Sequence, residues 1–166
     1  FDTTCGCCVY LDSLGLPKAI LDKFTAASGV EEISSTCTTG TPDLWIGGCP
    51  SSSIRVSQRD LNGDKRNDYL IYTHYESGSG GPYLFIFLSH EAGYGYHQLG
   101  PAKSYCLAQT GPAITLVMSV DWSSCSLEER APCYQSAIYN SKLAQFELSE
   151  TTTREPKGCA HPLHWF

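Results

Sequence analysis

The sequence lacks features that mark several common functional classes. No run of basic residues occurs, and the formal net charge is −6, whereas a nonspecific nucleic-acid-binding protein needs a basic surface that displaces counterions from phosphates. The longest apolar stretches, such as AITLVMSV at residues 113–120, fall far short of the roughly 20 residues that cross a bilayer. We therefore expect no nucleic-acid partner and no membrane span.

Charged residues are also scarce, at 17% of the chain, while hydrophobic residues reach 42%. Serine, threonine, glycine, glutamine and tyrosine must therefore cover much of the surface. This composition is not that of a disordered chain. At 166 residues the length predicts a single domain, 1–166, that buries its own core without an obligatory metal ion or partner.

Cysteine, in contrast, is abundant: nine cysteines accompany a single methionine. This usage is typical of an oxidising compartment, and a chain that begins at Phe1 fits a mature product without its signal peptide. We expect an exported protein, either periplasmic or extracellular. Because nine is odd, at least one thiol must be free or paired with another chain, and the CGCC run at residues 5–8 is where we expect it.

The cysteine spacing indicates structural disulfides, although it does not determine their connectivity. Cys37 with Cys49, and Cys125 with Cys133, are spaced as local loop closures, whereas Cys106 and Cys159 are placed to tie terminal segments to the body. Zinc binding by the CGCC run is the alternative, since thiolates are zinc ligands. No second cysteine pair with the usual two-residue spacing accompanies that run, so disulfides are the favoured interpretation.

The hydrophobic pattern predicts a mainly β fold with one short N-terminal helix. Apolar residues recur at helical spacing between Asp12 and Ala27, with Pro17 tolerated in a first turn. A Ser/Thr/Gly-rich stretch up to Ser53 reads as a loop held by its cysteines. From there to residue 150 the period is two, which predicts a disulfide-stabilised antiparallel meander of about six or seven strands. Residues 151–166 form a C-terminal tail.

The segment DLNGDKRND, residues 60–68, has the composition of a calcium loop. Oxygen-bearing side chains alternate around Gly63 and return after a basic run, and calcium prefers such hard oxygen ligands. The predicted ligands of a structural calcium ion are Asp60, Asn62, Asp64, the backbone carbonyl near Arg66, and Asp68. A polar turn in which Asp and Asn cap their own backbone is the alternative.

The same segment, with the strand-like DYLIY after it, resembles the calcium loop of FG-GAP or VCBS-type repeats. The family pattern has glycine where this chain has Lys65. The resemblance extends loosely over residues 53–150 and implies a single-copy FG-GAP-like β domain of a bacterial periplasmic or otherwise exported protein. It is distinct from the helix-flanked calcium loop, which requires glycine at its sixth position and glutamate at its twelfth.

A second resemblance concerns the glycine-rich segment SGGPY, residues 79–83. It is similar to the Ser-Gly-x-x-Tyr motif of bacterial periplasmic lysozyme inhibitors, in which a loop enters the muramidase cleft. An ordinary glycine-rich turn explains it equally well. Since glycine permits close backbone approach and tyrosine supplies amphipathic contact area, we predict a partner-binding surface formed by Ser79, Gly80, Gly81, Tyr83, Tyr94 and Tyr96.

No recognisable catalytic constellation occurs in the sequence. Gly78-Ser79-Gly80 fails the Gly-x-Ser-x-Gly spacing, and His90 and His97 lack a carboxylate at ligand spacing. We predict a non-enzymatic exported binding protein, in its most concrete form an inhibitor or immunity protein that blocks a basic secreted enzyme, one that degrades the cell wall for example. The alternatives are an extracellular fibre or adhesive subunit, assembled or disulfide-linked with its own copies, and, less favoured, a secreted hydrolase.

Overall fold

The computed structural model of the chain describes residues 6–9, 15–28, 44–47, 54–73, 83–110, 113–120, 133–154, 157 and 159. Within them lies one helix, α1 (Lys18–Ser28). The strands of these residues are β1 (Gly6–Val9), β2 (Leu44–Gly47), β3 (Ile54–Arg59), β4 (Asp68–Thr73), β5 (Leu84–His90), β6 (Gly93–Leu99), β7 (Ser104–Thr110), β8 (Ala113–Val120), β9 (Cys133–Asn140) and β10 (Gln145–Leu148). The prediction of a mainly β chain is confirmed.

The strands form two four-stranded antiparallel sheets and a small two-stranded one. The front sheet has the order β3-β4-β5-β6, the back sheet has the order β10-β9-β8-β7, and β1 pairs with β2. The two large sheets therefore contain eight strands rather than the six or seven predicted, and the meander is divided between them. The strand that the sequence pattern did not predict is β7, which lies between two turn-like segments. Leu44–Gly47, within the predicted N-terminal loop, is also a strand.

The main core lies between the front and back sheets. Leu70, Leu84 and Ile86 of the front sheet pack with Leu116 and Met118 of the back sheet. Cross-strand pairs such as Leu70↔Ile86 and Leu107↔Leu116 keep these side chains on matching faces. The alternation of side chains along each strand therefore supplies one apolar face per sheet, and burying those two faces against each other stabilises the sandwich.

The other face of the front sheet is covered by α1. Ile20 and Phe24 of the helix are fully buried with Ile71, Phe85 and Phe87, and the Phe24 and Phe85 rings meet edge to face at 5.2 Å. The helix begins at Lys18 because Pro17 occupies its entry, where the backbone N–H groups of Ile20 and Leu21 donate to the Pro17 carbonyl. The predicted start at Asp12 lies outside the described residues.

The C-terminal segment packs on the outer face of the back sheet. Thr152 exchanges backbone hydrogen bonds with Tyr134 at 2.8 and 2.9 Å, and Cys159 is joined to Cys106 by a disulfide whose Cα atoms are 5.9 Å apart. The sequence predicted that both cysteines tie terminal segments to the body of the protein. In the structure they do so by bonding to each other. Cys133 is also disulfide-bonded. Its predicted partner Cys125 lies outside the described residues, as does the predicted Cys37–Cys49 pair.

No helix among the described residues is long and apolar enough to cross a membrane.

Candidate functional site

The acidic loop, residues 60–67, connects β3 to β4 at one end of the front sheet. Arg59 and Asp68 are antiparallel partners at the base of the loop, so it bridges two adjacent strands. Leu61 is 5% exposed and belongs to the main core, whereas residues 63–67 are exposed. A buried apolar side chain therefore anchors the start of the loop and leaves its polar part in solvent.

Asp60 organises the turn through its carboxylate. Oδ1 accepts hydrogen bonds from the backbone N–H groups of Gly63 at 2.7 Å and Asp64 at 3.2 Å, and Oδ2 accepts one from Lys65 at 2.7 Å. Three successive amides thus point at one negative charge, as in the anion-binding concavities that turn backbones form. The carboxylate satisfies donors that the turn leaves without a backbone acceptor.

Asn62 and Asp64 continue the same pattern at alternate positions. Asn62 Oδ1 accepts the backbone N–H of Asp64 at 3.1 Å, and Asp64 Oδ1 accepts that of Arg66 at 2.8 Å. The Asn62 side-chain amide donates to Asp64 Oδ2 at 3.3 Å. The Arg66 guanidinium contacts Glu91 at 3.3 Å across the surface, which is an exposed pair of small energetic value.

Asp68 is the buried member of the predicted set, with 0% of its surface exposed. Its Oδ2 accepts the backbone N–H of Leu61 and its Oδ1 that of Ser89, both at 2.8 Å. Burial raises the pKa of this carboxyl group, the two backbone hydrogen bonds oppose the rise, and the charges of Asp64 and Asp60 add to it. The structure therefore brings Asp60, Asp64 and Asp68 close enough to interact electrostatically.

Lys65, at the position where the resembled calcium-loop pattern has glycine, adopts a left-handed backbone conformation. Its φ is 67°, in the left-handed region, and Gly63 has a φ of 83°. A non-glycine residue there carries a steric cost of about 1 to 2 kcal/mol. Lys65 therefore holds a backbone conformation that glycine would adopt without this steric cost.

The donor types of the loop fit a hard cation. Each carboxylate offers about four lone-pair sites, so the oxygens that accept one amide hydrogen retain further acceptor capacity. As arranged, the oxygens act as caps of the turn. Across the described residues, no group of three or more His, Cys, Asp or Glu side chains is positioned to hold a metal ion. Asn62 and the carbonyl near Arg66 are outside those residue types, so the calcium ligand set stays a prediction.

The predicted partner surface is only partly described. Ser79, Gly80 and Gly81 lie outside the described residues. Tyr83, Tyr94 and Tyr96 are half-buried and pack on the helix side of the front sheet. Tyr94 meets the Tyr69 ring at 6.0 Å, and Tyr96 meets Phe87 at 5.3 Å. These rings therefore contribute to packing, and each retains part of its surface for contact with another molecule.

The two described histidines share a face of the β5–β6 hairpin. The His90 imidazole lies over Gly95, where an added Cβ would come within 2.7 Å of its Nε2. His97 contacts the rings of Phe146 at 5.4 Å and Tyr139 at 6.2 Å in the back sheet. Burial lowers the pKa of His97, and the nearby His90 lowers it further. The position of His97 is therefore explained by its packing against these aromatic rings.

The structure also contains a groove that the sequence analysis did not anticipate. It has a volume of about 500 Å³ and is lined by Arg55, Ser57, Gln58, Arg59, Tyr105 and Leu107. Neither His90 nor His97 lines it. Arg55 and Arg59 are four residues apart in the predicted strand SIRVSQR, so the period of two along a strand places both arginines on the same face. The tertiary structure alone shows that Tyr105 and Leu107 of β7 line the same groove as these arginines.

Comparisons with protein-family models, with curated proteins and with solved structures find no match for this chain. The resemblances to FG-GAP-type repeats and to lysozyme inhibitors therefore depend on the short segments at residues 60–68 and 79–83. Function must be argued from the residues and their geometry.

Proposed function

We propose that the chain is an exported binding protein whose front sheet carries a structural calcium loop, and that it acts as an inhibitor or immunity protein toward a basic secreted enzyme. The observation that carries the proposal is the acidic loop. Its Asp60 carboxylate accepts hydrogen bonds from three backbone N–H groups, and Lys65, where the resembled pattern has glycine, has a left-handed backbone conformation. The turn is thus already formed around its oxygen-bearing side chains.

A bound calcium ion would stabilise the loop through charge. Burial is the main cause of the raised pKa of Asp68, and repulsion from the charges of Asp64 and Asp60 adds to it. A divalent cation held by Asp60, Asn62, Asp64, Asp68 and the carbonyl near Arg66 would neutralise that repulsion. Because Asp68 is hydrogen-bonded to both Leu61 and Ser89, order in the loop would extend to β5. We therefore assign the ion a structural role.

The disulfides support the proposed export to an oxidising compartment. The Cys106–Cys159 bond and the disulfide of Cys133 fit an oxidising environment. The net charge of −6 would steer the protein toward a basic partner, because complementary charge raises association rates. A basic secreted muramidase would share this compartment and carry the complementary charge. It is also the partner class that the SGGPY segment suggests.

Calcium binding is tested by titration calorimetry with Ca²⁺ on chelator-treated protein. We expect one binding event in the wild type and none in Asp64→Ala, while Asp22→Ala, which removes an exposed aspartate from α1, should bind as the wild type does. Thermal unfolding should show the same contrast, because a ligand of the native state raises its melting temperature. If neither the calcium-free wild type nor Asp64→Ala shows heat of calcium binding, the loop is a turn whose side chains cap only its own backbone.

Partner binding is tested with Tyr94 and Tyr96, the two half-buried tyrosines of β6. A basic muramidase acting on peptidoglycan should be slowed by the wild-type chain, and more weakly by the Tyr94→Ala/Tyr96→Ala variant. Tyr96→Phe is the matched control, because it keeps the ring against Phe87 and removes only the hydroxyl that bonds Gln98 at 3.0 Å. Unchanged peptidoglycan hydrolysis at a large molar excess of wild-type chain would contradict the inhibitor proposal for this enzyme class.

An assembled subunit is the second candidate, and one observation favours it. Ile138, Leu143 and Leu148 are 46%, 57% and 51% exposed, and all three lie in or beside the β9–β10 hairpin at the edge of the back sheet. Exposed apolar residues at an edge strand favour pairing with another copy. Sedimentation that depends on protein concentration in the wild type and is lost in Leu148→Lys would support self-assembly over the inhibitor role.

A further inference from the structure

The β9–β10 hairpin combines exposed apolar side chains with the edge of a sheet. Ile138 of β9, Leu143 of the turn and Leu148 of β10 are the large hydrophobic side chains that the described part of the chain exposes. In the back sheet formed by the described residues, β10 is the outermost strand. Apolar side chains beside an edge strand favour contact with another molecule, so this hairpin is a candidate contact surface.

The backbone of β10 alternates between its neighbour β9 and the edge. The N–H of Ser149 donates to the carbonyl of Ser136 in β9 at 2.8 Å, and β10 pairs with β9 in that same register. In an antiparallel pair, every second residue directs both its backbone groups to the partner strand. Glu147 therefore directs its groups to β9, as Ser149 does. Phe146 and Leu148 direct theirs to the edge, where an added strand can bond them.

Symmetry restricts how a second copy can add to this edge. When two identical strands pair antiparallel about a two-fold axis, one residue faces its own copy. If that residue is Glu147, Phe146 of each copy pairs with Leu148 of the other, within β10. An axis at either earlier residue of β10 would bring Ala144 into the pairing, although its φ of 51° is not extended. An axis at Leu148 would require Glu150, beyond the end of the strand.

The same register matches apolar side chains across the axis. Phe146 is half-buried and packs on the main core, where its ring meets that of Tyr139 at 5.4 Å. Leu148 lies on the same face of β10, two residues further on. In the paired strands, Leu148 of one copy faces Phe146 of the other, and apolar cross-strand pairs stabilise sheets. A second copy would thus cover Leu148 and extend the core across the interface.

The charges around β10 indicate a second copy in the antiparallel direction. Lys142 precedes the strand and Glu150 follows it, and both are exposed. Antiparallel pairing places Lys142 of each copy at the end where Glu150 of the other lies, whereas parallel pairing would place like charges together. At the centre, the exposed Glu147 faces its own copy, and like charges directly opposite destabilise a sheet. The ends therefore complement each other, while the centre limits the affinity.

We infer that β10 pairs antiparallel with β10 of a second copy, with Glu147 facing Glu147 across the two-fold axis, and that this charge pair limits the affinity of the dimer. The inference rests on the assembled subunit, the second candidate of the proposed function, and specifies its contact. It does not depend on the calcium loop or on the inhibitor role. Backbone pairing supplies affinity in such strand addition, and side chains supply specificity. Because a two-fold contact is closed, it produces dimers and not fibres.

The test exchanges the charge at the axis and measures dimerisation by sedimentation velocity. Free thiols are blocked beforehand, because the cysteine count is odd and a new intermolecular disulfide would also give dimers. The samples are the wild type, Glu147→Lys, and an equal mixture of the two. We expect the mixed dimer to have a dissociation constant at least about fivefold lower than either protein alone, because opposite charges then face each other across the strands.

Two further variants separate the charge at the axis from general surface charge. Glu147→Gln removes the like-charge pair and should dimerise more tightly than the wild type. Asp22→Lys makes the same charge reversal as Glu147→Lys on the exposed face of α1, so its mixture with the wild type gives the baseline for mixing. Melting temperatures establish that each variant is folded, and Glu147→Gln against the wild type carries the comparison if Glu147→Lys is not.

Hydrogen exchange tests the register directly. The amides of Phe146 and Leu148 should gain protection in the mixture of wild type and Glu147→Lys, because their N–H groups are directed to the edge. The amide of Glu147 should change little, since it is directed to β9. Gains confined to amides outside β10 would overturn the inference.

Sedimentation also separates failure of this register from failure of the assembled-subunit candidate. If Leu148→Lys abolishes self-association of the wild type but exchanging the charge at Glu147 changes no dissociation constant, the chain assembles and the register is wrong. If every sample is monomeric, Glu147→Gln included, both the inference and the assembled-subunit candidate are wrong.

Discussion

Asp68 and Ser89 are joined by a 2.8 Å hydrogen bond in which the backbone N–H of Ser89 donates to Asp68 Oδ1. The Ser89 hydroxyl donates in turn to the carbonyl of Asn67 at 2.5 Å. Because Asp68 also accepts the N–H of Leu61, one buried carboxylate links the start of the acidic loop, the first residue of β4 and the end of β5. The shape of the loop is therefore coupled to the core of the front sheet.

We predict that Asp68→Ala destabilises the calcium-free protein much more than Asp64→Ala. Truncation of Asp68 leaves the N–H groups of Leu61 and Ser89 without an acceptor, and each such loss costs about 1 to 3 kcal/mol. Asp64 is exposed, so water can replace its contacts, and we expect a loss below about 1 kcal/mol. Urea unfolding in chelator gives both values. Equal losses in the two variants would contradict the structural role of Asp68.

The left-handed residues give a second prediction. Lys65 and Ala144 have φ values of 67° and 51°, where side chains are disfavoured by about 1 to 2 kcal/mol. Lys65→Gly and Ala144→Gly should each raise the free energy of unfolding by roughly 0.5 to 1 kcal/mol, after the entropic cost of glycine is subtracted. The control Ala27→Gly, in α1, should lower it by about 1 kcal/mol. Destabilisation in all three variants would show that no strain is relieved.

The Cys106–Cys159 disulfide supports a third prediction. It closes a loop with a sequence separation of 53 residues, which in the chain-entropy model constrains the unfolded chain by about 4 kcal/mol. Cys106→Ser/Cys159→Ser should lower stability by up to that amount. Hydrogen exchange should also lose protection at Tyr134 and Thr152, whose pairing holds the C-terminal segment. Retained protection at both amides would mean that the segment packs without its covalent tie.

The fourth prediction concerns pH. Because burial and His90 lower the pKa of His97 below 6.5, the unfolded chain takes up a proton at this residue before the folded chain does. Stability must therefore fall as pH decreases from about 6.5 toward the folded pKa. In unfolding experiments, His97→Gln should remove this part of the pH dependence of stability. His90→Gln should narrow the pH interval over which stability falls, because the pKa of His97 would be lowered less. A wild-type profile retained in His97→Gln would assign the fall to other groups.

Much of the local structure was predictable from the sequence because its signals are local. The spacing of Ile20 and Phe24 predicts α1, and the period of two after residue 53 predicts strands that the structure contains. Residues 60–67 form the loop between two strands that their polar composition indicates. Even the groove had a local signal, since Arg55 and Arg59 stand four residues apart on a strand.

What the sequence determined by itself is thus the type of each element and which side chains share a face, since the 3.6 and 2.0 residue periods are properties of the backbone. The tertiary structure decided which faces meet. It divided the meander into two sheets, paired Cys106 with Cys159 and brought Tyr105 against Ser57, because these contacts join segments far apart in the chain. It also buried Asp68 beneath Leu61 and Ser89, since a carboxylate's exposure depends on what packs over it and not on its neighbours in sequence.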